Sequence, residues 1–194
     1  MDYTSIHIYG HLLSDDILHE IETDASMQGN REQDFNLDVS LTAKIDNAWS
    51  SLRNDWKLFA ERNLLKDQYG TKSVRRLMER FFTSLDYQLD YQQSQVEASE
   101  RKFDIPYLCP DLGGMPVIIV GDKTGDVNLD TLDKCTLDIR QKGERRQKSP
   151  HATMLDYLNS SEHVYGIVTN GQVLRIIRNT GQLVKLTYIE FDLR

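Results

Sequence analysis

The spacing of apolar residues changes period once along this 194-residue chain, near Asp86, and that change limits the folds open to it. Before it, Leu41, Ile45, Ala48, Trp49, Leu52, Trp56, Phe59 and Leu64 fall three and four apart, the stripe of one amphipathic helix. After a break from Lys66 to Gly70, the residues Val74, Leu77, Met78, Phe81, Phe82 and Leu85 resume the same period. Two antiparallel helices would face these stripes together, so the tryptophans and phenylalanines are expected in a core. Upstream, Ser14 is placed to cap a short helix that carries Asp15 and Asp16 in its first turn, with Ile17, Leu18 and Ile21 on one face. The segment from there to about Val39 reads as polar loop.

Beyond Asp86 the period drops to two. Tyr87, Leu89 and Tyr91 alternate with polar residues, and Phe103, Ile105 and Tyr107 continue the pattern. The run PVIIV, Pro116 to Val120, is apolar at every position and bounded by Gly113, Gly114 and Gly121, as a central strand covered on both faces would be. Ser149 followed by Pro150 is a helix start, a hydroxyl cap and then proline in the first turn, with the helix reaching about Leu158. Tyr165 to Thr169 and Val173 to Arg178 flank Asn170-Gly171, a turn that needs positive φ, and a last strand is expected over Val184 to Phe191. The order predicts an α/β fold: an N-terminal helical arm, residues 1–86, followed by a mixed-sheet domain, residues 87–194, in one compact unit.

The tail SPHATMLDYLNSSEHVYGIVTNGQVLRIIRNTGQLVKLTYIEFDLR, Ser149 to Arg194, resembles a segment that precedes the methylase domain in large type IIG-like restriction-modification and phage-defence enzymes. The leucine-rich GHLLSDDILHEIE, the helix with Trp49 and Trp56, and Arg75 to Tyr87 resemble the start of the same family more loosely. The resemblance implies an accessory domain of an adenine-specific DNA methyltransferase. It would touch DNA or dock the downstream methyltransferase and specificity domains, and S-adenosylmethionine would belong to the parent protein alone. No NPPY motif occurs here, and Gly113-Gly114 stands before a strand instead of between strand and helix, so this stretch is not expected to methylate by itself.

Front domains of such enzymes also resemble the PD-(D/E)xK nuclease fold, in which two acids hold a divalent metal and a lysine positions water. Pro110-Asp111 and Gly121-Asp122-Lys123 form a degenerate match, because the second acid of the motif falls on Gly121. Asp122 is adjacent but would point to the other face of a strand unless a bulge turned it. The alternative to a catalytically silent domain is thus a Mg2+-dependent endonuclease using Asp111, Asp122 and Lys123. Asp133 and Asp138 offer carboxylates with no geometry to fix them.

Charge bears on the partner. The net charge is -7, and residues 1–70 hold 13 acids against 6 bases while residues 71–194 hold 17 of each. One stretch reverses the sign: Arg140, Lys142, Arg145, Arg146 and Lys148 stand with Glu144 alone between Ile139 and His151. These five, with His151 at the adjoining helix start and Arg175 and Arg178 on the following strand, are the candidate DNA contacts. Arg175 and Arg178 lie three apart and must face opposite ways, and lone arginines of this kind are more often surface salt-bridge partners. His7, His11, His19, His151 and His163 have no zinc spacing, there is no GxSxG elbow, and Cys109 and Cys135 are too few and too far apart for a metal or disulfide framework. A mean hydropathy of -0.52, no long apolar run and no signal-peptide pattern predict a cytoplasmic protein off the membrane. A third reading is a scaffold whose acidic arm binds a partner protein.

Overall fold

The computed structural model describes residues 4–10, 12–35, 37–64, 70–121, 128–131, 140–141, 144–145, 148–179 and 187–194. Among them the chain forms β1 (Ile6–Tyr9), α1 (Asp15–Thr23), α2 (Leu41–Leu64), α3 (Gly70–Ser84), β2 (Asp90–Tyr91), β3 (Val96–Ala98), β4 (Arg101–Phe103) and β5 (Tyr107–Cys109). It continues with β6 (Met115–Ile119), β7 (Arg140–Gln141), β8 (Glu144–Arg145), α4 (Pro150–Ser160), β9 (Tyr165–Thr169), β10 (Val173–Arg178) and β11 (Tyr188–Asp192). No helix among the described residues is long and apolar enough to cross a membrane.

Seven strands make one mixed sheet in the order β1-β11-β10-β9-β6-β5-β2. Every pair is antiparallel except β6 and β9, where Val117 pairs with Ile167 and Ile119 with Thr169, and α4 is part of the crossover between them. Alternation along β6 explains why its sequence is apolar throughout. Val117 and Ile119 meet a core with Phe59 of α2 and Val74, Leu77, Met78 and Phe82 of α3. Ile118 and Val120 meet a second core with Met154, Tyr157 and Leu158 of α4. A strand covered on both faces has no polar side to write into its sequence. α3 is therefore one cover of the sheet, while α1 contributes to neither core and leaves Ile17 and Ile21 exposed.

Local signals fix several of these elements. The Ser14 hydroxyl accepts from the Ile17 amide at 3.3 Å and Ser149 from Ala152 at 3.1 Å, each satisfying a helix-start donor that would otherwise be orphaned. Between β9 and β10, Gly171 takes φ +82° and Asn170 Oδ1 accepts from the Gln172 and Val173 amides at 3.0 and 2.8 Å. Gly166 lies so close to α4 that a Cβ there would sit 2.4 Å from Met154 Sδ.

Three features differ from the sequence reading. β1 is a strand, hydrogen-bonded to β11 at the sheet edge. The alternation from Phe103 to Tyr107 is not one strand: β4 pairs with β3 in a separate hairpin whose turn holds Ser99 and Glu100 at positive φ, and β5 joins the main sheet. Pro106 falls between them, and proline cannot donate to a ladder. Of Tyr87, Leu89 and Tyr91, only Tyr91 reaches a strand, β2.

Candidate functional sites

Asp111 lies at the wrong end of β6 for the degenerate nuclease motif. It sits in a single 3-10 turn, Pro110–Leu112, ahead of the strand, and its Oδ2 accepts from the Gln88 amide at 2.8 Å. From Met115 to Gly121 the extended chain advances about 20 Å, whereas metal ligands must lie within about 2.5 Å of one ion. Asp111 therefore cannot share a metal with the Gly121 end of the strand. Asp122, Lys123, Asp133 and Asp138 lie outside the described residues. Among the described residues no three His, Cys, Asp or Glu side chains converge as a metal site would need. Nor do Gly113 and Gly114 suit S-adenosylmethionine: both take positive φ in the turn leading into β6, not in a turn from strand to helix.

At the Gly121 end stands an acid that the sequence reading passed over. Asp104 lines a pocket of about 270 Å3 with Arg75, Tyr91, Gln95, Pro106 and Val120. Gln95 Nε2 donates to Asp104 Oδ1 at 3.0 Å, but Asp104 Oδ2 is buried without a hydrogen-bond partner, and so is Arg75 Nε. The pocket opens because β5 pairs with β6 only from Tyr107 to Cys109, leaving Ile118 to Val120 beside the segment that holds Asp104. Nothing local in the sequence marks Asp104; its position depends on where two strands part.

The candidate DNA contacts lie in different settings. Lys142 and Arg146 lie outside the described residues. Arg140 and Arg145 occupy directly opposed positions in the two-stranded β7–β8 ladder. Lys148 is paired with Asp156 of α4, whose carboxylate also lies 3.7 Å from Arg101.

His151 and Arg175 are inside the protein, 4 % and 8 % exposed. The Arg175 guanidinium forks onto Asp130 at 2.6 and 2.8 Å, donates to Glu190 at 2.5 Å and lies 4.8 Å over the Tyr188 ring, which stacks on Tyr9. His151 Nδ1 is 3.3 Å from the same guanidinium. Arginine can only donate, so Nδ1 accepts and the ring proton sits on Nε2, which is buried without a partner. Burial, then the charge of Arg175, push the His151 pKa down to about 4, so the ring is neutral at physiological pH. The hydrogen bonds from Arg175 hold Asp130 below the usual carboxylate range. This cluster joins the loop at residues 128–131 to β10, β11 and α4, and it leaves neither His151 nor Arg175 turned outward to meet a phosphate. Arg178, one strand face away, is half-buried beside Tyr165.

The helical layer leaves a groove of about 380 Å3, lined by Trp49, Leu52, Trp56, Phe81 and Leu193. Trp49 is 66 % exposed and Ile45 is exposed as well, so the expectation of a fully buried stripe fails along the first half of α2. Of α2, Phe59 enters the buried core and Trp56 packs partly against it.

The architecture thus defines a mixed α/β protein whose sheet is sandwiched between helices. Comparison with family models, with curated proteins and with solved structures finds no significant match.

Proposed function

We propose that this chain is a DNA-facing accessory domain of a methylase-type restriction-modification or phage-defence enzyme, acting in the cytoplasm without catalysis of its own. One observation carries the DNA half of this reading. In a chain of net charge -7, the register of β7–β8 sets Arg140 directly opposite Arg145. A cluster of bases in an otherwise acidic chain is the electrostatic footprint that phosphate contact requires. The resemblance of the tail to segments ahead of methylase domains supports the enzyme class, and S-adenosylmethionine belongs to the companion domain.

The exposed groove at Trp49 and Trp56 supports docking as the domain's other task, with the methyltransferase domain as occupant. The acidic-scaffold reading differs by predicting no DNA affinity. An endonuclease built on Asp111, Asp122 and Lys123 is not favoured, since Asp111 stands at the far end of β6. Charge reversal decides between these. The double variant Arg140→Glu, Arg145→Glu loses retention of duplex DNA in a gel-shift assay while keeping its circular dichroism spectrum; undiminished retention would overturn the assignment. Nicking of supercoiled plasmid with magnesium, lost on Lys123→Ala, would overturn the absence of catalysis.

A further inference from the structure

We infer that Asp156 is a positioning residue: it holds a base on either flank of β7–β8 and so sets where Arg140 and Arg145 meet DNA, without touching DNA itself. The inference rests on the DNA reading of that ladder. A lone two-stranded ladder is marginally stable, and among the described residues β7–β8 pairs with no strand of the main sheet. Its neighbours must therefore place it. β7 lies beside β4, and β4 lies beside α4.

On α4 one carboxylate collects both flanks. Asp156 pairs with Lys148, just after β8, and its Oδ2 lies 3.7 Å from the guanidinium of Arg101 at the start of β4. Arg101 and Asp156 are each 27 % exposed and Lys148 29 %, so the cluster is partly sheltered from the water and salt that weaken surface pairs. One helical turn further on, Ser160 fastens the same β3–β4 hairpin. Arg101 donates to Ser160 Oγ at 3.2 Å, and the Ser99 hydroxyl donates to the Ser160 carbonyl at 2.7 Å. The Arg101 guanidinium also lies 5.1 Å over the ring of Phe103, which is buried in the core with Met154, Tyr157 and Leu158. β4 is thus fixed to the body of the protein, and Asp156 ties to it the chain that leaves β8.

The sign of the effect separates placing the ladder from merely neutralising it. An acid beside phosphate contacts opposes DNA, so its removal would raise affinity if charge were all that it supplied. Removing a tether does the reverse. Arg101 and Lys148 then repel, the ladder is less often held beside β4, and apparent affinity falls by the fraction of molecules no longer in the binding arrangement.

Anisotropy of a labelled duplex titrated with the whole chain tests this, with Asp156→Asn and Asp156→Glu beside the unaltered protein. Asp156→Asn is expected to bind roughly threefold more weakly although it makes the chain less acidic, and Asp156→Glu, which keeps the carboxylate, to stay within about twofold of the unaltered protein. Trypsin, in the absence of DNA, should cut between Arg140 and Arg146 roughly threefold faster in Asp156→Asn, because the ladder opens more often. Cleavage after Arg178 in β10 should remain as slow as before. The substitution leaves the helix itself intact, since Ser149 caps α4 and its apolar side chains fill the core. Equal or tighter DNA binding by Asp156→Asn, or unchanged cleavage at the ladder, would overturn the inference and leave the DNA reading standing. An unaltered chain that binds no duplex would overturn that reading, and the role of Asp156 with it.

Discussion

His151 and Arg175 show how one residue's role is decided by what the fold brings to it. In sequence both lie among basic residues suited to phosphate. In the structure Arg175 is bound by Asp130 and Glu190, and His151 is kept neutral beside it. Because its folded pKa of about 4 lies below the ordinary 6.5, His151 favours the folded state above pH 6.5 and loses that advantage as pH falls toward 4. The groups facing it are Arg175, Asp130 and Glu190, and the two carboxylates only partly offset burial and the arginine. Urea unfolding should lose about 2 kcal/mol from this group between pH 7 and pH 5. His151→Gln, which keeps an acceptor for Arg175 but does not titrate, should flatten that dependence. Arg175→Met should cost about 3 kcal/mol, since it strands Glu190 in a largely buried position. A loss below about 0.5 kcal/mol in the same unfolding assay would show the cluster to be dispensable.

Elements were legible where their signals are local. The Ser149 cap, Pro150 and the Asn170-Gly171 turn each act over a few residues, so α4 and the β9–β10 hairpin follow from the chain alone. β6 was legible too, because PVIIV has no solvated face to encode. β1 was not: four residues, Ile6 to Tyr9, become a strand only by pairing with β11 at the other end of the chain. Asp104 stayed hidden for the same reason, and the Arg175–Glu190 pair needed the β10–β11 register. Gly171→Ala would force a side chain into positive φ and bring its Cβ to 3.2 Å from Val74 and 3.3 Å from Phe59. Thermal unfolding should report a loss of about 1–3 kcal/mol. By contrast Trp49→Ala should change stability by about 0.5 kcal/mol or less, whereas Phe59→Ala should cost about 3 kcal/mol or more. Equal losses at the two positions would mean that α2 is packed along its whole length.

At the scale of the whole molecule, a sheet covered on both faces carries surface features of different character. The groove at Trp49 is apolar, the Arg75–Asp104 pocket mixes polar and apolar lining and carries one charge of each sign, and β7–β8 places two arginines at opposed register positions. Function was harder to read than fold: the caps and turns are written in adjacent residues, whereas Asp111 and Gly121 look close in sequence and are divided by the length of a strand. The central claim is that this acidic chain meets DNA through Arg140 and Arg145. Anisotropy of a labelled duplex titrated with the chain, from about 50 to about 200 mM salt, tests it most directly. Affinity that falls linearly on a logarithmic salt scale, with the slope reduced by about two in the Arg140→Ala, Arg145→Ala variant, is the predicted result. No salt-dependent binding, or a slope untouched by the double substitution, would contradict it.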